Sequence, residues 1–121
     1  MVELNAKDLL DRWAATRDVP ARDCPSRVII GHLTSRWGIM VMITLMTGTH
    51  RFSALRRRIG TVSERMLAQS LQQLEADGFI HRRALDVMPP HVEYSLTDLG
   101  RVAGTHVTAL AYWVETTQRS A

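Results

Sequence analysis

Residues 53–78 read SALRRRIGTVSERMLAQSLQQLEADG, and the spacing inside that stretch decides the fold. Ser53 is placed to cap a short helix over residues 54–59, and Gly60 closes it as a left-handed C-terminal cap would. Ser63 then caps a second helix from Glu64 to Asp77, which Gly78 stops. Leu67, Leu71 and Leu74 fall on one face of it, with Arg65, Gln69, Gln72 and Gln73 outside. Two helices joined by a turn of about three residues containing Gly fit a helix-turn-helix.

Downstream, residues 79–85 and 92–96 read as two strands, the second alternating Val92, Tyr94 and Leu96 against Glu93 and Ser95. Residues 86–91 make the hairpin tip. Thr97 caps a final helix to about Thr117, whose apolar residues (Leu99, Val102, Val107, Leu110, Trp113 and Val114 among them) cover more than one face. Upstream, Arg51-Phe52 suits a short strand. Residues 37–46 are apolar at nearly every position, which predicts a central helix wrapped by others. Pro25 opens a helix before it, and Asn5 caps a first helix whose apolar face holds Leu9, Leu10 and Trp13.

These elements predict a mainly α chain with a small antiparallel β wing, a winged helix-turn-helix in one domain over residues 1–121. Within it, residues 53–78 form the helix-turn-helix and residues 79–96 the wing. The surplus apolar surface lies on the helices of residues 1–18 and 97–117, at Leu9, Leu10, Trp13, Val107, Leu110, Trp113 and Val114. Its simplest use is dimerisation, since large exposed apolar patches are rare on monomers.

The 121 residues carry a net charge of +3, and its placement matters more than its size. Residues 50–83 hold seven basic and three acidic groups, whereas residues 84–121 hold two against four. Positive charge therefore collects on the helix-turn-helix and the start of the wing, as a nucleic-acid partner would require. No apolar run reaches membrane-spanning length, and the N-terminus lacks the order of a signal peptide, so a cytoplasmic protein is expected. The five histidines have no metal-ligand spacing, and no phosphate loop, nucleophile elbow or paired-carboxylate signature is present. Neither a metal, a cofactor nor an enzymatic activity is expected.

Beyond composition and periodicity, several short motifs stand in a specific order: Cys24-Pro25, Arg36-Trp37, Arg51-Phe52-Ser53-x-Leu55-Arg56, Met66-Leu67-x-Gln69-x-Leu71-x-x-Leu74-Glu75-x-Asp77-Gly78, and Pro89-Pro90-x-Val92-Glu93-Tyr94-Ser95-Leu96-Thr97-x-Leu99-Gly100. Together, over residues 24–114, they resemble the HxlR-type bacterial transcriptional regulators. The resemblance implies a cytoplasmic homodimer on a roughly palindromic operator. In several relatives it also implies a response to oxidants or electrophiles through the cysteine before Pro.

In a helix-turn-helix the second helix enters the major groove, and its early outward residues meet base edges. Arg65 can fork onto guanine, Gln69 onto adenine, Gln72 extends that face, and Ser63 either caps or contacts a phosphate. Ser53, Arg56 and Arg57 on the preceding helix and Arg51 before it suit the DNA backbone, with one of the Arg56–Arg58 run turned back along the core. Arg82, Arg83 and His91 occupy the wing, which can follow the backbone into the minor groove. The alternative is a solvated helix face on a module that docks protein partners without DNA. Cys24 at a helix start is a candidate sensor thiol, or else a small buried residue. Met40, Met42 and Met46 pack a core, or line a pocket for a small non-covalent effector.

Overall fold

The computed structural model describes residues 5–16 and 25–120. They divide into two compact units, Met1–Gly31 and His32–Ala121. The first contains α1 (Ala6–Thr16), capped by the Asn5 side chain, which accepts the Lys7 N–H at 2.9 Å. Leu9, Leu10 and Trp13 are exposed on it. Helix α2 (Pro25–Thr34) straddles the division.

In the second unit Ser35 caps α3 (Arg36–Leu45) by accepting the Gly38 N–H at 3.1 Å. Then follow β1 (His50–Arg51), α4 (Phe52–Ile59), α5 (Glu64–Ala76), β2 (Ile80–Leu85), β3 (His91–Leu96) and α6 (Asp98–Ser120). The strands form one antiparallel sheet with β3 in the middle, flanked by β1 and β2. This is the expected winged helix-turn-helix, with a third strand, β1, bound to the wing.

The core gathers Val41, Met42 and Leu45 of α3, Leu55 of α4, Leu67, Leu71 and Leu74 of α5, Tyr94 and Leu96 of β3, and Val107 of α6. Helix α3 packs against α4, α5, α6 and β3, yet it is not wrapped on all sides. Met42 is buried, whereas Met40 and Met46 are exposed, so its apolar content exceeds what this unit covers.

Helix α6 is fastened at its start. Thr97 Oγ1 accepts the Gly100 N–H at 2.9 Å and donates to the Gly78 carbonyl at 2.6 Å. A Cβ on Gly100 would overlap the Phe79 carbonyl, so only glycine lets the helix approach the start of the sheet this closely. Gly104 and Val107 continue that inward side. Val107, expected at a dimer face, is 7% exposed and belongs to the core, because it lies one turn beyond Gly104 on the side that meets the sheet and α3. Leu110 and Trp113, at 50% and 63% exposure, stay uncovered, as do Leu99, Val102 and Val114. Among the described residues, no single helix is long and apolar enough to cross a membrane.

Candidate nucleic-acid interface

The turn between α4 and α5 is set by two residues. Gly60 has φ of +93°, a region that side-chain-bearing residues rarely adopt, and its N–H closes α4 on the Arg56 carbonyl at 2.9 Å. Ser63 is extended, and its Oγ accepts the Met66 N–H at 3.1 Å. Because the oxygen serves as acceptor, the hydroxyl proton stays available for a phosphate.

Burial of Leu67, Leu71 and Leu74 contributes roughly 1.5–3 kcal/mol per side chain relative to exposure, which fixes the rotation of α5. Ser70 is buried beside them. Arg65, Gln69 and Gln72 then stand outward, spaced four and three residues apart on one face. Gln73, expected outside, is half-buried.

Helix α4 begins two residues earlier than its sequence suggests and takes in Phe52, which was expected in the strand. Arg51 occupies its cap position without a side-chain cap, and Ser53 is an exposed residue of its first turn rather than the cap. The pairing of β1 with β3 brings this about, since it extends His50 and Arg51 and lets the helix start at Phe52.

Of the arginine run, Arg56 is the one turned back. Its Nε donates to the Val62 carbonyl at 3.4 Å and its Nη1 to Glu64 Oε1 at 3.1 Å, so it braces the turn. Arg57 and Arg58 are exposed, and among the described residues no ion pair holds them or Arg65.

In the wing, Arg82 pairs across the sheet with Tyr94, and Arg83 with Glu93. Neighbouring strand residues point to opposite faces, so the two arginines cannot contact the same groove wall. Arg82 shares the face of the buried Tyr94, and Arg83 shares that of Glu93. On the other edge Arg51 also pairs with Glu93, giving a row Arg51, Glu93, Arg83 across three strands, with the acidic residue on the middle strand. His91 turns onto its own hairpin with 17% of its side chain exposed. Its Nδ1 donates to the Pro89 carbonyl at 3.3 Å, and its Nε2 lies 3.5 Å from Glu93 Oε1 without a hydrogen bond.

Glu64 and Glu93 escaped the sequence reading. Glu64 meets Arg56 from across a turn, and Glu93 stands opposite Arg51 and Arg83 through strand register, neither of which periodicity reveals. Thr47 Oγ1 donates to the Thr44 carbonyl at 2.7 Å and so accepts from His50 Nε2 at 2.9 Å, which ties that ring to the end of α3. Among the described residues no group of three or more His, Cys, Asp or Glu could hold a metal ion. Of the three methionines weighed for a pocket, Met46 lines one, a shallow depression of about 200 Å³ with Leu45, Thr49, Leu96 and Arg101. Cys24, the candidate sensor, lies outside the described residues.

Comparison with known proteins agrees with this geometry. A family model described as HxlR-like helix-turn-helix matches residues 32–120. The HTH-type transcriptional regulator YtfH of Escherichia coli (strain K12) is 61% identical over 95 residues, covering 78% of this chain and 75% of the relative. A solved transcriptional regulator, ytfH from Salmonella typhimurium, superposes with a TM-score of 0.81 at 54% identity, covering 85% of this chain and 92% of its own. The oxidized form of the redox regulator HypR gives a TM-score of 0.70 at 34% identity, covering 77% and 96%.

Proposed function

The chain belongs to the HxlR-like helix-turn-helix family of transcriptional regulators, and from that premise we propose that it works in the cytoplasm as a homodimer that represses transcription from double-stranded operator DNA. The observation that carries this reading is the face of Arg65, Gln69 and Gln72. It stands exposed on a helix whose opposite side is locked into the core, behind a capped turn. Arg65 and Gln69 read base edges, while Ser53, Arg57 and Ser63 position the protein on phosphates. Arg83 and Arg51 flank the wing contact, and Arg82 serves its other face. Leu110, Trp113 and Val114 of α6, with Leu9, Leu10 and Trp13 of α1, meet the second copy.

Oxidants or electrophiles acting on Cys24 are the proposed signal. The likeness to HypR, described as a redox regulator, supports that reading. Oxidation of a lone cysteine yields a bridge to the partner subunit, a mixed disulfide or a sulfenic acid. A second reading, control by a small non-covalent ligand, rests on the depression at Met46.

Footprinting on the intergenic DNA beside the coding region, with and without oxidant, tests the proposal. A protected, roughly palindromic site that is released on oxidation and unaffected by oxidant in Cys24→Ser supports it. Failure to bind any duplex, together with co-purification of an acidic protein, points instead to a protein-docking module.

A further inference from the structure

We propose that Glu64 sets how weakly the protein holds DNA of the wrong sequence, by keeping Arg56 off the phosphate backbone. The inference rests on the DNA-binding reading above and adds a residue to it. Between α4 and the start of α5 lies an open pocket of about 350 Å³ lined by Phe52, Ser53, Arg56, Arg57, Gly60 and Glu64. The hydroxyl of Ser53 and the guanidinium of Arg57 give it the donors that a backbone phosphate takes. Arg56 would be the second cation of that seat. Instead its Nη1 donates to Glu64 Oε1 at 3.1 Å and its Nε to the Val62 carbonyl at 3.4 Å.

Glu64 is the first residue of α5, with its side chain 72% exposed, and it does not contribute to the core. An acid there gains from the helix dipole, but so would one pointing to solvent. What distinguishes this one is its partner, the sole cation of the pocket held by a carboxylate. A phosphate entering the seat must outcompete Glu64 for Arg56 and also meets the carboxylate's own charge. Sequence-independent binding is built from such phosphate contacts, each of which adds about 0.9 to the salt slope. A cation withheld from all sequences lowers operator and random-DNA affinity by the same factor, so it loosens the hold on wrong DNA and leaves the ratio between the two to the base contacts.

The test measures binding of the full chain to a random-sequence duplex by fluorescence anisotropy between 50 and 200 mM salt. Glu64→Gln is expected to steepen the salt slope by about 0.9 per protomer, an extra loss of about threefold in affinity across that range. In an Arg56→Ala background the same substitution should add nothing. An unchanged slope overturns the proposal, and so does equal steepening without Arg56, which would reduce Glu64 to a repelling charge. A shift in unfolding midpoint with no change in slope also overturns it, leaving Glu64 a structural residue. Wild-type protein that binds no duplex at any salt removes the DNA reading itself; wild type that binds while Glu64→Gln is indistinguishable from it removes this inference alone.

Discussion

Nδ1 of His32 lies 2.6 Å from Oδ2 of Asp77, joining the last turn of α2 to the residue that ends α5. Both side chains are largely buried, and the partners are 45 residues apart, so the bond fixes the far end of the helix proposed to read DNA. Asp77→Ala should lower the unfolding free energy by about 1–3 kcal/mol, because it leaves the imidazole partner unpaired. Asp77→Asn, which keeps an acceptor oxygen, should recover part of the loss. Chemical denaturation of both variants and of the His32→Ala double mutant measures the coupling, and additive losses would show that the contact contributes no coupling energy.

Arg65 and Arg57 should fail in different ways. Arg65→Ala is expected to cost about 1–3 kcal/mol on the operator and to relax preference at one base position. Arg57→Ala should weaken all duplexes and flatten the salt slope by about 0.9 per protomer. Gel shifts on operator variants at several salt concentrations separate the two patterns, and identical behaviour of the two variants would contradict the assignment.

Gly100→Ala places a methyl group against the Phe79 carbonyl, a backbone atom that has no rotamer to yield. The expected loss is at least about 2–3 kcal/mol, seen as a lowered thermal midpoint. Gly31→Ala is the control, because a Cβ there meets nothing within 4 Å. Equal midpoints for the two variants would refute the close approach.

Val107 and Trp113 stand only six positions apart on α6 and should report on different things. Val107→Ala empties part of the core and should destabilise by about 1–3 kcal/mol. Trp113→Ser removes an exposed indole and is expected to shift the proposed dimer toward monomer with a smaller cost to the fold. Light scattering across a concentration series, together with thermal melts, reads both. A Trp113→Ser protein that stays dimeric at all concentrations would argue against α6 as the interface.

The order of elements was legible because each has a local signature. Ser63 and Gly60 mark the turn, the leucines at 67, 71 and 74 mark the inner face of α5, and Val92, Tyr94 and Leu96 mark the strand that proves central. What stayed hidden depends on partners distant in sequence. Apolar residues surround much of α6, and only the close approaches at Gly100 and Gly104 reveal that the side bearing Val107 is the inner one. Ser53 carries a cap's chemistry, but pairing of β1 with β3 starts the helix one residue before it. Arg82 and Arg83 look like one basic patch until strand register sends them to opposite faces.

Strand β1 ends at Arg51 and α4 begins at Phe52, with no residue between them. The wing and the first helix of the helix-turn-helix thus share a joint without slack, and Arg56 ties that helix across the turn to the start of α5. Bending the wing alone would have to break the β1 to β3 ladder or unwind the first turn of α4. The reading head therefore travels as one rigid tool. In a two-headed assembly the adjustable quantity becomes the span between heads rather than the shape of either one. In the proposed homodimer a signal would change the grip as a caliper does, by altering the distance between its jaws.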